Sequence, residues 1–182
     1  MNNPPESAET ATAIDDVGEF LVHALELEHE SSSHYGQLAD SMEVHHNQDV
    51  AALFRSLAVL SEEHATRIGI RAQAVSLPRI APWEFKWDRP GGPEGGDPLH
   101  GEVSYQMTAK QALELALHNE TRGQAFYAHT AAVSADAEVR RLAAEMSAEE
   151  AEHVEMLRDL LDEERHRGET APEDLDPPHM PA

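Results

Sequence analysis

Cysteine is absent from all 182 residues. That absence excludes disulfides, thiol catalysis, zinc ribbons, iron–sulfur clusters and a rubredoxin-type iron site on this chain. Basic residues are scarce: 13 Lys and Arg stand against 35 Asp and Glu, a formal charge of -22. Such a surface does not suit a nucleic acid, whose phosphates call for Lys and Arg, nor an anionic membrane surface. No apolar run approaches the length of a membrane span, so no membrane partner is expected. The stretch Met1 to Glu6 has no basic region followed by an apolar one, which gives no signal peptide and an expected cytoplasmic location. Alternating β-branched runs are also missing, so no strand competes with a helical reading.

What the chain has is histidine, twelve of them, and two long blocks rich in Ala, Leu and Glu that are almost free of proline. Three segments break the pattern. Residues 1–13 form a polar tail with Pro4 and Pro5, and residues 168–182 form an acidic tail with Pro172, Pro177, Pro178 and Pro181. The third is the stretch 76–107, rich in Pro and Gly, which also holds Trp83, Phe85, Trp87 and Tyr105 and reads as a strap along a helical flank. The two tails are expected to be disordered.

Each proline-poor block is long enough for two helices with a short break. Turn and cap residues lie between Asp40 and Asp49 and again at Val133-Ser134-Ala135-Asp136. Thr108 followed by Gln111 reads as a capping box, and Asp16 followed by Glu19 offers a similar start. Helices are therefore placed near 14–41, 47–75, 108–132 and 136–166. Short breaks make two antiparallel hairpins, and the long 76–107 link can run the length of the bundle. The fold class is all-α: a four-helix bundle over 14–167, ferritin-like, with two hairpins joined by one long crossover.

Following each helix at 3,4 spacing traces the stripe that faces the core. The first stripe runs Val17, Leu21, Ala24, Glu28, Ser31, Tyr35, Leu38, Met42. The second runs Val50, Phe54, Leu57, Ser61, His64, Ile68, Arg71, Val75. The third runs Ala109, Leu113, Ala116, Glu120, Gly123, Tyr127, Thr130. The fourth runs Val139, Ala143, Met146, Glu150, His153, Leu157, Leu160. Every stripe is apolar at its ends and polar at mid-length. A lone carboxylate in a core is costly, but three glutamates and two imidazoles at one level are tolerable around a cation. Carboxylate oxygen with imidazole nitrogen suits iron, manganese or zinc. Tyr35 and Tyr127 lie two turns beyond Glu28 and Glu120, where each can pack or donate a hydrogen bond to a carboxylate on a facing helix. His23, His29, His34, His118 and His129 fall off the stripes and are expected to face solvent or a subunit contact.

The two halves repeat. Ala24-Leu25-x-x-Glu28 with Tyr35 returns as Ala116-Leu117-x-x-Glu120 with Tyr127, and Ser61-x-x-His64 returns as Glu150-x-x-His153. On these motifs the chain resembles the rubrerythrin domain of the ferritin-like superfamily over about 17–165. The resemblance implies Glu28, His64, Glu120, Glu150 and His153 as metal ligands, with Tyr35 and Tyr127 in supporting positions. It implies a homodimer, two iron ions, a redox reaction with dioxygen or peroxide, and a separate electron donor. Manganese or zinc are the alternative metals. Three departures stand out. Ser61 occupies the place of the sixth ligand, a bridging glutamate, so one of the two metal positions is expected to fill only partly. Glu62 and Glu63 point about 100–200° away around the helix. Gly123 replaces an additional family glutamate and no rubredoxin-like domain is present, which count against a peroxidase of the rubrerythrin kind. The alternative functions are iron binding or storage, or a metal-poor bundle serving as an interaction module.

Overall fold

A computed structural model describes residues 13–86 and 106–170, with side chains as far as Arg167. Among the described residues are four long helices, α1 (Val17–Val44), α2 (Gln48–Ala72), α3 (Ala109–Val133) and α4 (Ala137–Thr170), and a 3-10 turn at Pro82–Glu84. No strand occurs among the described residues. Nor is any helix there long and apolar enough to cross a membrane.

The helix starts are set by side chains that take up orphaned backbone N–H groups. Asp16 accepts from the Glu19 N–H at 2.8 Å. Thr108 and Gln111 close a reciprocal capping box, with bonds of 3.2 Å and 2.9 Å. Asp136 accepts from the N–H groups of Glu138 and Val139. Boundaries fall within about four residues of those read from the sequence, and α4 continues through Gly168 to Thr170. Residues 1–12 and 171–182, expected as tails, lie outside the described residues, as does 87–105 with Trp87 and Tyr105.

α1 packs along α2, and α3 along α4, as two antiparallel hairpins. Contacts between the hairpins fix their relative direction. Tyr35 meets Glu120 and Tyr127 meets Glu28, so α1 and α3 run antiparallel. His64 meets Glu150 and Arg71 meets Glu145, so α2 and α4 do likewise. α2 and α3 must then be parallel. The chain between them therefore has to return the length of α2, about 38 Å at the rise of an α-helix, which explains the long crossover.

The core has two apolar ends. One gathers Tyr35, Met42, Phe54, Leu57, Leu113 and Leu157. The other gathers Phe20, Leu21, Ile68, Tyr127, Val139 and Met146. Each fully buried Leu or Phe contributes about 1.5–3 kcal/mol. Between them lies a layer of buried polar groups: Glu28, Ser31, Ser61, His64, Glu120 and Glu150.

Two positions on the traced stripes do not face the core. Arg71 is exposed and pairs with Glu145 at 3.0 Å, and Leu160 is exposed while Leu161 is buried in its place. Both lie toward a helix end, where the drift between a strict 3,4 count and the true helical period has accumulated. His23 is a larger correction. Instead of facing solvent it is fully buried, because the described part of the strap covers it. The Lys86 N–H donates to its Nε2 at 3.0 Å, its Nδ1 bonds the Glu19 carbonyl at 2.9 Å, and Phe85 meets its ring edge-on at 4.9 Å. Trp83 does not join this packing and is 84% exposed. The strap approaches α1 closely at Gly18, where a Cβ would lie 2.5 Å from the Ser76 carbonyl oxygen.

Candidate metal centre

Each helix contributes to the mid-height layer from its own stripe: Glu28 from α1, Ser61 and His64 from α2, Glu120 from α3, Glu150 and His153 from α4. Glu28, His64, Glu120 and Glu150 are at most 6% exposed, and the His153 side chain is 17% exposed. Nδ1 of His64 lies 3.2 Å from Oε1 of Glu150 and 3.6 Å from Oε2 of Glu28. Nδ1 of His153 lies 3.5 Å from Oε2 of Glu150 and 3.7 Å from Oε2 of Glu120. Glu150 thus turns one oxygen toward each histidine. The two imidazoles stack with centroids 4.8 Å apart and planes 12° from parallel.

The outer carboxylates are held from across the bundle. The Tyr35 hydroxyl donates to Oε1 of Glu120 at 2.8 Å, and the Tyr127 hydroxyl donates to Oε1 of Glu28 at 2.9 Å. The sequence repeat is therefore a structural one, with each hairpin's tyrosine fixing the other hairpin's glutamate. Ser61 turns its hydroxyl back to the Leu57 carbonyl at 3.3 Å. α2 is unbroken there, and Glu62 and Glu63 are exposed, so neither moves into the vacant carboxylate position.

Electrostatics follow from burying acids and imidazoles together. Burial alone would lower His64, but bonds to Glu150 and Glu28 outweigh it and push it up to about 9. Bonds to Glu120 and Glu150 push His153 up to about 10. Burial, reinforced by Glu150, pushes Glu120 up to about 7, and burial raises Glu28 as well. Glu150 goes the other way. Burial opposes its charge, but the bonds from His153 and His64 hold it at about 2. Without a cation the cluster keeps positive charge on its imidazoles to balance its carboxylates.

A divalent cation fits this donor set. His64, Glu150 and His153 each offer one ligand atom, and these atoms all lie within 4.8 Å of one another. Ser31, one turn beyond Glu28, is 2% exposed, and its hydroxyl has no hydrogen-bond partner. An unpaired polar atom in a core is costly, and Ser31 leaves one on the same face of α1 as Glu28.

A crystal structure described as COG1633, an uncharacterized conserved protein from Magnetospirillum magnetotacticum MS-1, superposes on this chain with a TM-score of 0.65. The two sequences are 40% identical, over 81% of this chain and 95% of that one. The chain belongs to the COG1633 family. No family model and no curated protein matches it.

One residue beside the centre escapes the stripe analysis. Oε2 of Glu149 lies 4.0 Å from Nε2 of His64 and 3.1 Å from Nη2 of Arg67. Glu149 sits one residue from the stripe, about 100° around α4. Only the register of α2 against α4 brings it to His64, and nothing in the spacing of α4 alone marks it.

Proposed function

We propose that this COG1633 protein is a rubrerythrin-like metal protein that holds two iron ions and reacts with dioxygen or peroxide. The observation that carries the reading is the placement of Glu150, with one oxygen facing His64 and the other facing His153. That is the arrangement needed to bridge two metal positions. Glu28 and His64 would hold one position, Glu120 and His153 the other. When bound, the ions would supply one-electron chemistry toward the oxidant.

The chain's own contribution is charge and geometry. Three buried carboxylates offset the repulsion between two cations in a surrounding of low dielectric. Tyr35 and Tyr127 fix the outer carboxylates, so ligand orientation is set before metal arrives. The flanking apolar clusters limit water at the centre. Electrons would come from a separate donor, since the chain has no cysteine to hold a rubredoxin-type iron or an iron–sulfur cluster.

The test is a crystal of protein purified without added metal, mapped by anomalous scattering at the iron edge. Peaks are expected between Glu150 and each histidine. No peak there, with no metal by elemental analysis, would remove the reading. Aerobic loading separates redox use from storage: two or fewer irons per chain fit the redox site, and many per chain fit storage.

A further inference from the structure

A buried metal centre needs a way in, and the ligands of this one are almost wholly enclosed. Between α2 and α4 runs a narrow cavity of about 10 Å³, room for about one water molecule. Its inner end is formed by Glu28, His64 and Glu150, and its outer end by Arg67, Arg71 and Glu149. The inner side chains are 4–7% exposed, whereas Arg67, Arg71 and Glu149 are 54%, 41% and 39% exposed. Glu149 is the carboxylate of this cavity that reaches solvent, and its neighbour on the inner side is His64 at 4.0 Å. On its outer side it is held by Arg67 at 3.1 Å.

We propose that Glu149 is the transit ligand for divalent cations passing to the buried centre, and that its ion pair with Arg67 is the gate. The inference rests on the metal reading above. A hydrated cation at the surface needs a carboxylate to exchange water for, and Glu149 can offer that oxygen at the mouth before Glu150 and His64 take over inside. Arg67 competes for the same carboxylate oxygen. The guanidiniums at the mouth do not repel the cation outright, because Arg67 is matched by Glu149 and Arg71 by Glu145 at 3.0 Å. The overall charge of -22 draws cations toward the surface in general.

The two partners of this ion pair should therefore have opposite effects. The experiment mixes the metal-stripped full chain with Co(II) and follows uptake by visible absorption, with circular dichroism confirming helical content. Glu149→Gln is expected to slow uptake about tenfold, within the range of on-rate changes that local charge produces. The final cobalt content should stay unchanged. Arg67→Gln frees Glu149 and is expected to speed uptake. If both variants change the rate in the same direction, or Glu149→Gln binds as fast as the parent, the gate is wrong. If Glu149→Gln lowers the final content, Glu149 is a resident ligand and the transit role falls. A parent chain that takes up no cobalt removes the metal reading itself and this proposal with it.

Discussion

The Tyr127 hydroxyl donates to Oε1 of Glu28 at 2.9 Å, joining residues 99 apart in the chain. Glu28 is 3% exposed, so this bond replaces water that the carboxylate cannot reach. The mirrored bond from Tyr35 to Glu120 does the same for the second hairpin. Together they hold α1 to α3 through groups that an apolar core would otherwise reject.

Removing either hydroxyl should therefore cost stability in the absence of metal. Tyr127→Phe and Tyr35→Phe keep the ring packing but leave a buried carboxylate one partner short. Each is expected to destabilise the metal-stripped protein by about 1–3 kcal/mol. Urea unfolding measures it. The pseudo-symmetry of the two bonds predicts similar losses, and a change close to zero for both would mean that the carboxylates find other partners.

His23 gives a pH prediction with a definite sign. Burial lowers its pKa below the ordinary 6.5, and its Nε2 accepts the Lys86 N–H, which requires a neutral ring. Below about 6.5 the unfolded chain binds a proton that the folded chain resists, so stability falls as pH falls from there toward the depressed folded value. Parent protein should lose more stability between pH 7.5 and 5.5 than His23→Gln, which cannot titrate. Protection of the Lys86 amide against hydrogen exchange, corrected for the intrinsic rate, should drop over the same interval. Equal losses in both proteins would show that His23 does not titrate this contact.

Gly18 tests the seat of the strap. On helix propensity alone Gly→Ala would gain about 1 kcal/mol. Here the new methyl would lie 2.5 Å from the Ser76 carbonyl oxygen, 3.1 Å from Oδ1 of Asp16 and 3.2 Å from Pro78. The first of these is a backbone atom, which cannot rotate away. Overpacking of this kind costs about 1–3 kcal/mol, so Gly18→Ala is expected to lower the unfolding temperature. An unchanged or higher unfolding temperature would mean that the 76–78 segment moves aside freely.

How far the sequence could be read depended on where the partner of each residue lies. The stripes of α1 and α3 located Glu28, Tyr35, Glu120 and Tyr127 because helical period alone carries that information. Stripe position left each tyrosine either packing or donating to a facing carboxylate, and the fold decides for the bond, Tyr35 to Glu120 and Tyr127 to Glu28. His23 was misplaced because its partners, Phe85 and Lys86, come from an irregular strap with no period to trace. Arg71 and Leu160 failed for a different reason: small phase errors grow toward helix ends. Glu149 was invisible because its significance depends on the register of α2 against α4, which neither helix encodes alone.

The asymmetry between Ser61 and Glu150 gives the sharpest test of the centre. These residues occupy equivalent positions in the two Ser/Glu-x-x-His segments, yet Glu150 faces both histidines while Ser61 bonds its own helix at Leu57. The centre therefore has one carboxylate fewer than its repeat would supply, and the shortfall lies on the α2 side, beside His64. In the unmodified protein the His153 position should fill and the His64 position should fill only in part. Ser61→Glu should raise metal content toward two per chain, because the added carboxylate supplies both an oxygen ligand and the missing charge. Glu150→Ala should do the opposite, removing the oxygens that face both histidines, so most of the metal is lost while the helices persist. Elemental analysis gives metal per chain, and circular dichroism controls for folding. Two tight metals in the parent, unaffected by Ser61→Glu, would show that the His64 half is complete without a carboxylate at position 61.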